Sequence, residues 1–147
     1  MGFRQKEYFR GMSQKWYFLL REPISEGEKE TWEARIREAL RGWNAHGRPI
    51  AFEVHFPYNH YVAITARSPI SGCAIDHLFR TLLPLLNPLP TEYLLILEDK
   101  KVTTKTFYEI IKQKSNGEWG SDWRVVEVVG DALLERRLEE SSLAVHL

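Results

Sequence analysis

Apolar residues recur along this chain with two different periods, and the switches between them predict an order of elements. The stretch KWYFLLR (15–21) is rich in aromatic and large aliphatic residues and apolar on both alternating faces, the pattern of a central strand. Ser25 followed by Glu28 makes a capping-box signature, after which Trp32, Ile36, Ala39, Leu40 and Trp43 recur at helical spacing until Gly47 and Pro49 end the run. Acidic residues gather in the first turns of this helix and arginines later, and Glu33 stands four residues before Arg37, a favourable pair on a helix surface. IAFEVHF (50–56) and YVAITA (61–66) then alternate as two strands of a hairpin. Their apolar faces coincide only if Val54 opposes Ile64 and Phe56 opposes Val62, because a slip of one residue turns every side chain over. An odd loop of Tyr58, Asn59 and His60 satisfies that register. Ile75, Leu78, Phe79, Leu82 and Leu83 form the stripe of a second helix that Pro84 ends or kinks, and EYLLILE (92–98) reads as a buried strand.

Strand, helix, strand, strand, helix, strand is an α+β order. It predicts the ferredoxin-like split βαββαβ arrangement, with both helices on one face of an antiparallel sheet spanning about 15–98. The remainder, about 99–147, reads as decoration: a helix over 104–114 with Phe107, Ile110 and Ile111 on one face and Asn116-Gly117 stopping it, a strand WRVVEVV (123–129), and a short helix started by Asp131. Residues 1–12, with Arg4, Lys6 and Arg10, are expected to be a loose basic arm, and 13–147 a single domain. The proline cluster from Pro84 to Pro90 is too short to make a domain linker.

Composition narrows the partners. A chain of 147 residues, 44% of them hydrophobic, suits one compact domain that buries roughly two thirds of the surface its unfolded form exposes. Twenty basic residues balance twenty acidic ones, so no global field favours nucleic acid, an anionic membrane or an acidic substrate. One cysteine cannot form an internal disulfide, and no apolar run of about 18 residues exists to span a bilayer. A signal-peptide h-region is missing, and Lys6 occupies the Ser/Thr position of a myristoylation signal, so the expected compartment is the cytoplasm.

Candidate chemistry comes from loops that the predicted topology brings to one sheet edge. The first helix ends, and the second begins, where NAHGRP (44–49) and SPISGCAID (68–76) lie, and the fourth strand would deliver Glu98 and Asp99 to the same edge. A helix N-terminus favours an anion and a helix C-terminus a cation, so Cys73 and His46 suit a nucleophile and a base, with Asp76 or Asp99 as orienting carboxylate. A plainer reading stands beside this one. Cys73 is then a small packed turn residue, Ser71 or Cys73 a helix cap completed by Asp76, Gly72 a source of positive φ, and His46 a partner of the first helix's last carbonyls. No CxxC, HxH or HExxH spacing appears among His46, His55, His60, His77 and Cys73, so no metal is expected. Neither GxxxxGK[ST] nor GxGxxG is present, and no cofactor is expected. The aromatics Trp16, Tyr17 and Tyr61 lack an RNP-like context that would make them a stacking platform for RNA.

Trp43, His46 and Gly47, the hairpin tyrosines Tyr58 and Tyr61, and SGCAID (71–76) together resemble a small bacterial family of uncharacterised proteins, sometimes labelled "ABC transporter ATPase". The resemblance covers about 43–82, with a weaker echo in VTTK (102–105). Ala74 stands where that family has a serine, and Ala66-Arg67 where an acidic pair is common. The resemblance implies that the HG and SGC loops belong together and implies no reaction, and the nucleotide motifs its label would require are missing from the chain. Three function classes follow. The first is a small binding or regulatory domain with Trp43, His46, Gly47, Ser71, Gly72 and Cys73 around a small anionic ligand or protein partner. The second is a thiol enzyme for acyl transfer, hydrolysis or redox chemistry, and the third a structural subunit docking through the sheet face of Glu53, His55, Tyr61 and Thr65. Composition and motif spacing leave oligomeric state open.

Overall fold

The computed structural model describes residues 14–89 and 92–147, so the arm expected over 1–12 lies outside the described residues. The chain divides into two compact units, Met1–Pro88 and Leu89–Leu147, and the boundary falls inside the proline cluster.

In the first unit, β1 (Lys15–Leu19) leads to α1 (Lys29–Ala39) through a 3-10 turn at Glu26–Glu28. The capping box forms as expected: the Ser25 N–H and hydroxyl donate to the Glu28 carboxylate at 3.1 and 2.7 Å, which holds that carboxyl below its usual range. Glu33 and Arg37 meet at 3.1 Å. A two-stranded ribbon follows, β2 (Asn44–Ala45) and β3 (Arg48–Pro49), then β4 (Phe52–His55), β5 (Tyr61–Ala66) and α2 (Gly72–Leu86). The sheet order is β1-β5-β4, antiparallel throughout, with Val54 opposite Ile64 as the apolar faces require.

Both helices lie on one face of this sheet. Ile36 and Leu40 of α1 and its C-terminal end, Ala74, Leu78, Leu82 and Leu86 of α2, and Phe18, Val54, Val62, Ile64 and Ala66 of the strands form one buried cluster. Two details depart from the expected stripe. Leu83 points outward, 45% exposed, with Leu86 taking its place in the core. Pro84 neither ends nor stops α2: it sits in the last turn, and the helix closes at Asn87 in the left-handed region, φ 45°, whose N–H bonds the Leu83 carbonyl. The opposite sheet face exposes His55 and leaves Glu53 half-buried, but buries Tyr61 and Ala63.

The first three strands thus take the positions that the split βαββαβ order assigns them. The fourth does not join β1. Residues Glu92–Ile96 form β6 of a separate sheet, so the molecule is α+β with several separate antiparallel sheets, and a ferredoxin-like sheet is not completed.

In the second unit β6 pairs with β7 (Val102–Thr106) and β8 (Arg124–Val129), and β8 with β9 (Ala132–Arg136), giving the order β7-β6-β8-β9. The helix expected from 104 starts later, as α3 (Phe107–Ser115), because VTTKT is a run of mostly β-branched residues that pairs with β6. Thr106 caps α3 and forms a capping box with Glu109. The helix expected from Asp131 is instead β9: Val129 pairs with Ala132, and the two-residue turn between them begins with Gly130 at φ 61°. Leu95, Ile110, Val125, Leu138 and Leu143 make the buried cluster of this unit. Its chain end is fastened by a buried carboxylate, Glu127, which accepts the Ser142 N–H at 2.9 Å and the Ser142 hydroxyl. Among the described residues no helix is long and apolar enough to cross a membrane.

Candidate functional site

The HG dipeptide sits in a turn, away from the helix end. Leu40 caps α1, Gly42 at φ 81° turns the chain, and it then makes the narrow β2–β3 ribbon with Asn44 opposite Pro49 and Ala45 opposite Arg48. His46 and Gly47 are its two loop residues, at φ 53° and 81°, the pair of left-handed values that a type I′ turn demands. Gly47 meets that demand without strain, and the Asn44 carboxamide supports the turn by accepting the Gly47 N–H at 3.2 Å while donating to the Gly42 carbonyl at 2.9 Å. His46 is therefore presented on a ribbon tip, and its role as partner of the α1 carbonyls is corrected.

Trp43 ties this ribbon to α2. Its side chain is buried, its indole N–H donates to the Ala74 carbonyl at 2.8 Å, and its ring meets Phe52 edge-on with centroids 5.5 Å apart. The Ser71 hydroxyl caps α2 by accepting the Ala74 N–H at 3.2 Å. The first turn of α2 is thus held from both sides at Ala74. Gly72 has an ordinary helical φ and open space around it, so positive φ is not its purpose.

Between ribbon and helix lies a cavity of about 270 Å³ lined by Asn44, His46, Ser71, Cys73, Ala74, His77 and Arg80. Cys73 is exposed, which overturns the packed-residue reading: it stands in the first turn of α2 facing the groove that His46 also lines. His77 and Arg80, four and seven residues after Cys73, extend the same helix face. Among the described residues neither the His46 ring nor the Cys73 thiol has a hydrogen-bond partner.

The other expected members are elsewhere. Asp76 pairs with Arg80 at 3.1 Å and takes no part in capping. Asp99 belongs to the second unit, in the turn between β6 and β7, where it accepts the Lys101 N–H at 3.1 Å, and these bonds hold its carboxyl below the usual range. Trp43 and Gly47 line a second cavity, on the other side of the ribbon. Asn44, His77 and Arg80 were not among the expected site residues; the spacing of Cys73, His77 and Arg80 on one helix face is the signal that points to the last two. Among the described residues no group of three or more His, Cys, Asp and Glu side chains is arranged to hold a metal ion. Comparison with family models, curated proteins and solved structures gives no match for this chain.

Proposed function

We propose that the protein is a small cytosolic binding or regulatory protein that takes a small anion in the groove between the β2–β3 ribbon and the start of α2. The observation that carries this reading is the lining of that cavity. Two imidazoles (His46, His77), the Ser71 hydroxyl and the guanidinium of Arg80, paired with Asp76, line it beside the start of α2, where free N–H groups and the helix dipole favour negative charge. Its volume of about 270 Å³ suits an anion of phosphate or short-carboxylate size. The likeness of Trp43, His46, Gly47 and SGCAID to the bacterial family supports the pairing of these two loops as a functional unit.

Titration with inorganic phosphate, followed by amide chemical shifts, tests the reading. Saturable shifts at Ala45 to Gly47 and Gly72 to Ala74, weakened by Arg80→Gln, are the expected result. Shifts that scale only with ionic strength, or that ignore Arg80→Gln, would reject it.

The exposure of Cys73 favours a second reading, a thiol enzyme with Cys73 as nucleophile and His46 as base. Asp76, engaged with Arg80, then has no orienting role. The alkylation rate of Cys73 against pH separates the two: reaction well below pH 8, lost in His46→Gln, favours the enzyme, and an ordinary thiol profile favours the binding protein.

A further inference from the structure

Of the side chains that line the groove between the β2–β3 ribbon and α2, four can carry charge: His46, Cys73, His77 and Arg80. Arg80 is cationic at every ordinary pH, but it pairs through Nε with the Asp76 carboxylate at 3.1 Å, so the two together are close to neutral. Asn44, Ser71 and Ala74 add no charge, and no carboxylate stands among the lining residues described. The positive charge that varies therefore sits on two imidazoles, one on each wall: His46 on the ribbon tip, and His77 one helical turn beyond Cys73 on α2.

The charged groups nearby do not alter that source. Arg48 stands opposite Ala45 in the same ribbon and is exposed, and Arg67, just past β5, is held by Glu53 at 2.9 Å. Cys73 adds negative charge only at higher pH, a thiol ordinarily ionising near 8.5. Histidine is the side chain whose charge ordinarily changes between about pH 5 and 8, and both imidazoles reach solvent.

Resting on the assignment of this groove to an anion, we infer that binding there is coupled to protons, with His46 and His77 each protonated in the bound state. Affinity then falls as pH rises through the range in which histidine loses its charge. Linkage makes the effect reciprocal, so an entering anion draws protons onto the two rings. A full cation about 4 Å from an anion in bulk water is worth roughly fivefold in affinity, and less once salt screens it. Asp76 sets the level of binding rather than its slope with pH, because it offsets the one charge that does not titrate.

The test uses the whole chain and inorganic sulfate, which keeps both negative charges from about pH 5.5 to about 7.5, whereas phosphate changes its own charge within the histidine range. Amide shifts at Ala45 to Gly47 and Gly72 to Ala74 should saturate with an affinity on the order of tenfold higher at the acid end, at low salt. Heats of binding should differ between buffers of different ionisation enthalpy, by the amount that net proton uptake requires. His46→Gln and His77→Gln should each reduce the ratio between the two pH values by about threefold, and the double variant should bring it to one. Asp76→Asn should strengthen binding at both pH values and leave the ratio as it is. All three positions are exposed, so these variants should keep the wild-type melting midpoint. A ratio of one in the wild type, or a rise that survives in the double variant, would overturn proton coupling, while Arg80-dependent binding would leave the anion assignment standing. Absence of saturable sulfate shifts at the acid end would also overturn it, and the phosphate titration at fixed pH then decides separately whether the groove takes an anion.

Discussion

The two compact units are held together by different means. In the first, sixteen buried apolar residues among those described, from three strands, two helices and their loops, form one cluster. In the second, the described residues give one nine-residue helix beside a four-stranded sheet and a cluster of five buried residues, joined by local polar devices at turns and caps. Those devices are the Thr106–Glu109 capping box, the Gly130 turn, and Glu127 holding Ser142. Gly120 belongs with them: a Cβ there would run into the Trp123 indole, so any other residue requires that ring, packed edge-on against Trp119, to move. A large core tolerates an imperfect turn, whereas a small one depends on its turns and caps.

Two truncations should separate these modes. Leu78→Ala, at a fully buried position of the first cluster, should cost about 2–5 kcal/mol, through lost burial and the cavity left behind. Glu127→Ala removes little apolar surface but leaves the Ser142 N–H and hydroxyl without their acceptor, and should cost about 1–3 kcal/mol. Denaturant unfolding measures both, and hydrogen exchange locates them: protection should fall first around α2 in one variant and in the last residues of the chain in the other. A loss in Glu127→Ala as large as in Leu78→Ala, or spread evenly over both units, would break the comparison.

The same contrast explains how much could be read from the residues alone. Long stripes at a constant period identify α1 and α2, and strict alternation with the demand for coincident faces fixes Val54 opposite Ile64. The second unit offers only short segments. VTTKT adjoins the helical pattern of Phe107, Ile110 and Ile111, so the helical period runs backward over residues whose β-branching argues for a strand. Asp131 looks like a helix cap until Gly130 before it is seen as the first residue of a hairpin turn. The pairing of the fourth strand is illegible for a different reason: an apolar run such as EYLLI declares that it is buried but says nothing of which neighbours it pairs with. At the site, topology brings the HG and SGC loops to one groove, while Asp99 goes with the strand that pairs in the second unit.

Alkaline pH should test the first unit through Tyr61. Burial pushes the phenol up to about 12, from its ordinary value of 10.0, so the folded state holds its proton where the unfolded chain has lost it. Stability from this source is complete below about pH 10 and is lost as pH rises toward 12, by roughly 2–3 kcal/mol in total. Lysines titrate in the same range, so the informative quantity is the difference between wild type and Tyr61→Phe. The variant should lack this part of the alkaline loss, and parallel stability profiles from pH 9 to 12 would show that Tyr61 ionises as it does in water.

The smallest expected effect on stability falls on the residue with the most chemistry attached to it. Had Cys73 been packed under the turn, Cys73→Ser would bury a hydroxyl without a partner and cost about 1–3 kcal/mol. The thiol is exposed in the first turn of α2, and Ser71, Ala74 and Trp43 hold that turn without it. Serine there faces water and is neutral at a helix start, so Cys73→Ser should shift unfolding by no more than about 0.5 kcal/mol. This near-silence is what makes the variant useful. A change in phosphate binding in Cys73→Ser can then be assigned to the sulfur, because the scaffold that presents it is unaltered. A loss above 1 kcal/mol would return Cys73 to the core, and the groove it shares with His46 would have to be reinterpreted as packing.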